Sequence, residues 1–263
     1  MFTTKRTTIL LAMSAFLLGV ATPTVMLADE ALDQAFETLK TYDWGDNRAP
    51  LEALDKAVAA SHKDAAAKKA LAGRLEAVLK SDAPRAAKDV VCRKLSLIGT
   101  SDSVPVLASL LGDEKLSHMG RYALERIPGE DSLAALREAL TKTKGPLKVG
   151  MINSLGARRD AKSTATMAAL LTDEDKTIAA AATAALGAIG TPEAAKALGA
   201  FQAKTPKELK LAAADAYLAC AEQLLLAGKK ADAKKIYMSL MKPTQPKHIR
   251  VAATRGMLAA SKK

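Results

Sequence analysis

Aromatic residues make up only 3% of this 263-residue chain, with a single Trp. So few rings leave a core of Ala, Leu, Ile, Val and Met, and small side chains let helices approach closely. Only two cysteines are present, too few for a disulfide framework. The three histidines, His62, His118 and His248, stand apart, and no His-x-x-x-His, His-Glu or Cys-x-x-Cys spacing occurs. Local metal motifs are therefore missing, and each His reads as a surface or capping residue. Nucleophile and phosphate motifs are missing too. There is no Gly-x-Ser-x-Gly, and the stretch from Gly145 to Gly150 is followed by Met151 where a phosphate loop needs Lys. Acidic charge is in deficit, with 28 Asp and Glu against 39 Lys and Arg. After residue 28 no apolar run is long enough to span a membrane, which takes about 20 residues.

What is abundant is Ala, Leu and Lys, all strong helix formers, so the expected fold class is all-α. The first 28 residues stand outside that pattern. Lys5 and Arg6 precede an apolar run from Ile9 to Val20, Pro23 breaks it, and Met26-Leu27-Ala28 leads into acidic Asp29-Glu30. That layout reads as a signal peptide over residues 1–28, cleaved after Ala28, with a periplasmic or extracellular destination. Lys5 and Arg6 would leave with it, taking the net charge from +11 to +9. The remaining excess favours acidic partners or serves solubility.

Internal repetition is the strongest signal. Leu95, Leu124, Leu155, Leu186 and Leu218 recur about every 31 residues, each inside a short helical pattern that several times ends in Gly. A last copy, Ala252-Ala253-Thr254-Arg255-Gly256-Met257, follows after a longer step. Between the anchors lie segments apolar on one side only, such as Val104 to Leu111, Ser132 to Leu140 and Ala161 to Leu171. Gly99-Thr100, Pro128-Gly129 and Gly190-Thr191-Pro192 read as helix stops followed by new starts. Thr205-Pro206-Lys207-Glu208 reads as a capping box with Thr205 as the cap. The unit is a helix hairpin that buries its face only by stacking on its neighbours.

These units resemble HEAT repeats of the short, roughly 31-residue form. The family's Ala-Leu falls on Ala123-Leu124 and Ala185-Leu186, and its earlier Ala on Ala182, Ala214 and Ala253. Its Arg position holds Lys88, Lys148 and Arg250, but Ser117, Ala179 and Leu211 in three other copies. The resemblance implies a right-handed α-solenoid of about seven hairpins. Residues 29–82 serve as N-terminal capping helices and 83–263 as the repeat array, with a longer, tetratricopeptide-like hairpin at about 206–241. It also implies that second helices line a concave face, which here would carry Lys88, Arg93, Arg121, Lys148, Arg158, Arg159, Arg250 and Arg255. Thr177 to Ile189 interrupts that run without a single charge, and Ala179 to Ala182 reads as a flat patch open to an apolar partner segment.

Cys92 and Cys220 sit on equivalent helices four units apart, about 35 Å at ordinary helix spacing, so both are expected to be free. Trp44, in a turn, is expected to shield the first hairpin's core, with ligand stacking as the alternative. The functional expectation is an exported, non-catalytic scaffold without a cofactor that binds another protein through the concave surface. The alternative is a binder of acidic polymers, polysaccharide or nucleic acid, through the basic second helices. An accessory or lyase-type enzyme of the short-repeat family ranks below both, because no residue speaks for it.

Overall fold

Alanine-rich, one-sided helices joined by short turns can bury their apolar faces only in layers, and that is the arrangement found. The structure is a computed structural model that describes residues 23–262. The first helices of the hairpins are α1 (Pro23–Leu39), α3 (Ala65–Lys80), α5 (Val104–Ala108), α7 (Glu130–Lys142), α9 (Thr164–Leu170), α11 (Pro192–Gln202) and α13 (Lys230–Leu240). The second helices are α2 (Glu52–Ser61), α4 (Arg85–Ile98), α6 (Ser117–Leu124), α8 (Gly145–Ala157), α10 (Lys176–Ile189), α12 (Lys210–Leu226) and α14 (Lys247–Ser261). No strand occurs among the described residues.

Each second helix packs on the next, α2 on α4, α4 on α6, and so on to α12 on α14. Among the first helices α3, α5 and α7 are in contact, as are α9 and α11. The described residues thus form a two-layered α-solenoid of seven hairpins, and the core is the seam between the layers. Leu95, Leu124, Leu155 and Leu186 are fully buried on that seam. Leu218 is not. In α12 the deepest positions are Cys220, Ala221 and Leu224, because that longer helix shifts its contact stripe.

The turns follow from their residues. Gly190 ends α10 at φ +66°, where a side chain is disfavoured, and the Thr191 hydroxyl then accepts from the Ala194 amide at 3.1 Å to start α11. Thr100 and Ser103 cap the 3-10 turn before α5 reciprocally. Thr205 acts in the opposite direction to the expectation. Its hydroxyl donates to the Phe201 carbonyl at 2.7 Å, closing the end of α11, and the next turn starts without a side-chain cap. A buried Thr beside a helix's unpaired carbonyls satisfies them before it can reach forward.

The expected leader falls mostly outside the described residues. Helix α1 already begins at Pro23, so the backbone is helical across the Ala28–Asp29 junction.

Candidate binding surface

The eight basic residues singled out from the sequence divide into two groups once their neighbours are known. Arg158, just past the end of α8, turns back over the preceding repeat. Its guanidinium donates to the carbonyls of Leu124 at 2.9 Å, Glu125 at 3.2 Å and Ile127 at 2.6 Å, and to Ser132 Oγ at 3.3 Å. Those carbonyls lie at the C-terminal end of α6, that of Ile127 also accepting from Ser132 Oγ, and a cation is favoured there by the helix dipole. Arg121 reaches the other way, from α6 to α8, donating to the Gly150 carbonyl at 3.3 Å and Ser154 Oγ at 3.2 Å. It lies flat over Gly150, where a Cβ would sit 2.7 Å from the Arg121 Nε. Its side chain is 17% exposed, and burial pushes the guanidinium below its ordinary value, opposed by Glu125. Glu125 in turn accepts from Ser154 Oγ at 2.6 Å. Arg158 therefore spends both Nη groups inside the stack, and Arg121 spends Nη1 there while its buried Nε has no partner among the described residues.

Arg93, Arg159 and Arg255 are exposed, and Lys88, Lys148 and Arg250 are half-buried. Arg93 pairs with Asp89 at 2.9 Å, which together with their hydrogen bond raises the Arg93 guanidinium. The other five have no ion-pair partner among the described residues. They are spread over α4, α8, its following turn and α14, so the structure does not gather them into one basic patch. Lys94, next to Arg93, is buried and paired with Asp55 on α2.

Sequence reasoning missed a second polar strut. Arg137 on α7 donates to both carboxylate oxygens of Asp160 at 2.9 Å and also meets Glu130. Asp160 is buried and accepts from Ser163 Oγ as well. The available signal was an Asp placed directly after Arg158-Arg159 at a turn that must be buried between two hairpins.

Two expectations about neutral residues are corrected. Ala179 to Ala182 is no open patch, because Ala179, Ala181 and Ala182 are core residues. Helix α10 is squeezed between α8 and α12 so tightly that a Cβ on Gly156 would lie 2.9 Å from the Ala185 Cα. One on Gly187 would lie 2.6 Å from the Ala216 carbonyl. Absence of charge there marks closeness of backbones. Trp44 does not shield the first hairpin. It is 57% exposed, and Tyr42 is the buried ring beside it. The turn that holds Trp44 outward is closed by its own acids. Asp46 accepts from the Asp43 amide and Asp43 from the Trp44 amide, both at 2.8 Å, with Gly45 at φ +98°.

Cys92 and Cys220 are both free and buried, as their register requires, and burial pushes each thiol up to about 12. At neutral pH neither is a nucleophile. No group of three or more metal-ligating side chains assembles among the described residues. His118 lies 3.5 Å from the Arg121 guanidinium, and His248 faces Asp215 at 3.9 Å. No described helix is long and apolar enough to cross a membrane. An apolar groove of about 820 Å³ opens between α1, α2 and α3, and a smaller cavity of about 340 Å³ lies beside Trp44.

The uninterrupted stack from α8 to α12, with its Ala-Leu and Ser-Leu anchors, has a counterpart among known families. Residues 145–217 match the family model for HEAT repeats. Over that segment the chain is similar to HEAT repeats. The HEAT match covers the most tightly packed helices and leaves the N-terminal hairpins and the last one unmatched. A comparison with curated proteins finds no match. Among solved structures, an engineered protein from a structural genomics consortium is 19% identical, with a TM-score of 0.42 over 91% of this chain and 70% of its own. A second engineered protein is 20% identical, with a TM-score of 0.38 over 79% and 96%. Human deoxyhypusine hydroxylase in complex with glycerol is 16% identical, with a TM-score of 0.34 over 74% and 98%.

Proposed function

We propose that this protein is an exported, non-catalytic scaffold that binds another protein through its second-helix layer. The observation that carries the reading is the distribution of exposed apolar side chains. Leu97 on α4, Leu211 and Leu226 on α12, and Val251 and Leu258 on α14 stand open to solvent on that layer, against Met238 on α13 in the first-helix layer. Exposed large apolar residues repeated along one layer suit an extended partner. An HEAT-type stack offers such a surface without needing a catalytic cavity. The acidic-polymer reading is weakened by the same geometry, since Arg121 and Arg158 are consumed inside and the remaining cations are dispersed. Export rests on the Lys5-Arg6, apolar and Ala28 sequence.

Photo-crosslinking tests the proposal. A photoreactive residue at Leu97, Leu211 or Leu258 should capture a defined envelope protein, whereas one at the exposed Ala134 of α7 should not. Equal capture from both layers would remove the second-helix layer as the binding face.

A further inference from the structure

One stretch of surface combines aromatic rings with guanidinium groups in a continuous line. Arg85, opening α4, lies over the Trp44 ring at 5.5 Å. Arg48 and Arg93 line the cavity beside Trp44, together with Asp46, Asp89 and the backbone of Gly45. Arg93 then bridges to the next hairpin, 5.5 Å over the ring of Tyr122 on α6, and Arg126 covers the same ring at 3.7 Å. The line thus runs from the α1–α2 turn across α4 to α6.

Along this line stand four arginines, Arg48, Arg85, Arg93 and Arg126, and three carboxylates, Asp43, Asp46 and Asp89. Asp43 and Asp46 close the Trp44 turn through backbone amides, and Asp89 is held by Arg93. Arg48, Arg85 and Arg126 have no carboxylate partner among the described residues, and Arg126 spends one Nη1 donor on the Tyr122 carbonyl at 2.9 Å. An Arg stacked on a ring still presents its N–H fork outward, fixed in direction by the stack. The surface is therefore built to receive carboxylates at several points. Trp, Tyr and Arg are also the residue types that dominate protein–protein hot spots.

We infer that this Arg–aromatic strip is the docking site for an acidic peptide segment of the partner, a proposal that rests on the scaffold reading and narrows it. An acidic polysaccharide fits less well. A sugar ring needs an open aromatic face, and with Arg126 covering Tyr122 the exposed Trp44 is the one ring of the strip left to offer it. A peptide brings its carboxylates on flexible stems to the edges of the guanidinium groups and leaves the stacks in place.

Trp44 is the only Trp in the chain, so its emission reports on this site alone. The experiment titrates the purified full chain at low ionic strength, exciting Trp selectively, with an oligoglutamate of about twelve residues and an oligogalacturonate of equal charge. A saturable change with oligoglutamate, much weaker with oligogalacturonate, is expected. The variant carrying Arg85→Glu and Arg126→Glu, with unchanged helical circular dichroism and melting temperature, should bind oligoglutamate about tenfold more weakly or worse. Should that variant lose its fold, Arg85→Gln with Arg126→Gln takes its place, with a smaller loss in the same direction. An unchanged Trp44 emission, an equal response to both polymers, or undiminished binding by a folded variant would overturn the assignment. Crosslinking at Leu97, Leu211 or Leu258 that persists despite such a result would leave the scaffold reading standing and remove only the acidic peptide.

Discussion

The middle of the stack and the part that follows it solve the same packing problem with opposite chemistry. Between α6 and α9 the hairpins are joined by charged struts. Arg121 spans α6 to α8, Arg158 returns to the end of α6, and Arg137 clasps the buried Asp160. From α8 through α12 the contacts become dry and short, with glycine backbone against alanine at Gly156–Ala185 and Gly187–Ala216. Polar struts tolerate wider gaps and fix direction. Bare backbones fix distance and tolerate nothing added. The HEAT match spans the dry helices and one end of the strutted block, so family likeness and close packing largely coincide.

The sharpest way to break the comparison is to open the dry block. Leu186→Ala removes a fully buried anchor from α10 and should cost about 2–5 kcal/mol in urea melts. A neutral result would mean that α10 is not squeezed between its neighbours. In the strutted block the equivalent blow is electrostatic. Arg137→Met leaves Asp160 buried and unpaired, and should cost about 2–4 kcal/mol, discounted because the Arg137 side chain is 23% exposed. Adding Asp160→Leu to it should recover part of that loss, since the stranded charge goes with it. If the double variant is worse than the single one, Asp160 has a role beyond holding Arg137. The smallest effect sharpens the contrast. Gly187→Ala adds one carbon against the Ala216 carbonyl and should cost about 1–3 kcal/mol. The same change at Gly73, where nothing lies within 4 Å, should be neutral or slightly stabilising.

The architecture was readable because it is periodic. Four of five anchor leucines, the Gly-Thr turns and the free cysteines follow from spacing alone, since each repeat constrains the next. The site was less readable because spacing does not give direction. Arg158 and Arg159 are neighbours in sequence, yet one folds inward over α6 while the other stands exposed in a left-handed turn at φ 51°. Uncharged Ala179 to Ala182 looked open because its neighbours in the chain carry no charge. Its neighbours in space, α8 and α12, decide the matter. Trp44 was misplaced for a related reason. The acids and glycine around it are turn formers, and they govern where the ring points more than its own hydrophobicity does.

The basic residues singled out on the second helices are of two kinds, struts and free surface. Urea unfolding of Arg158→Met and Arg255→Met, measured side by side, tests this division most directly. Arg158→Met leaves the Leu124 and Glu125 carbonyls without this donor, while the Ile127 carbonyl keeps Ser132 Oγ, and should lose about 1.5–3 kcal/mol. Arg255→Met removes an exposed cation without a partner and should stay within about 0.5 kcal/mol of the parent. Equal stability of the two variants would contradict the division.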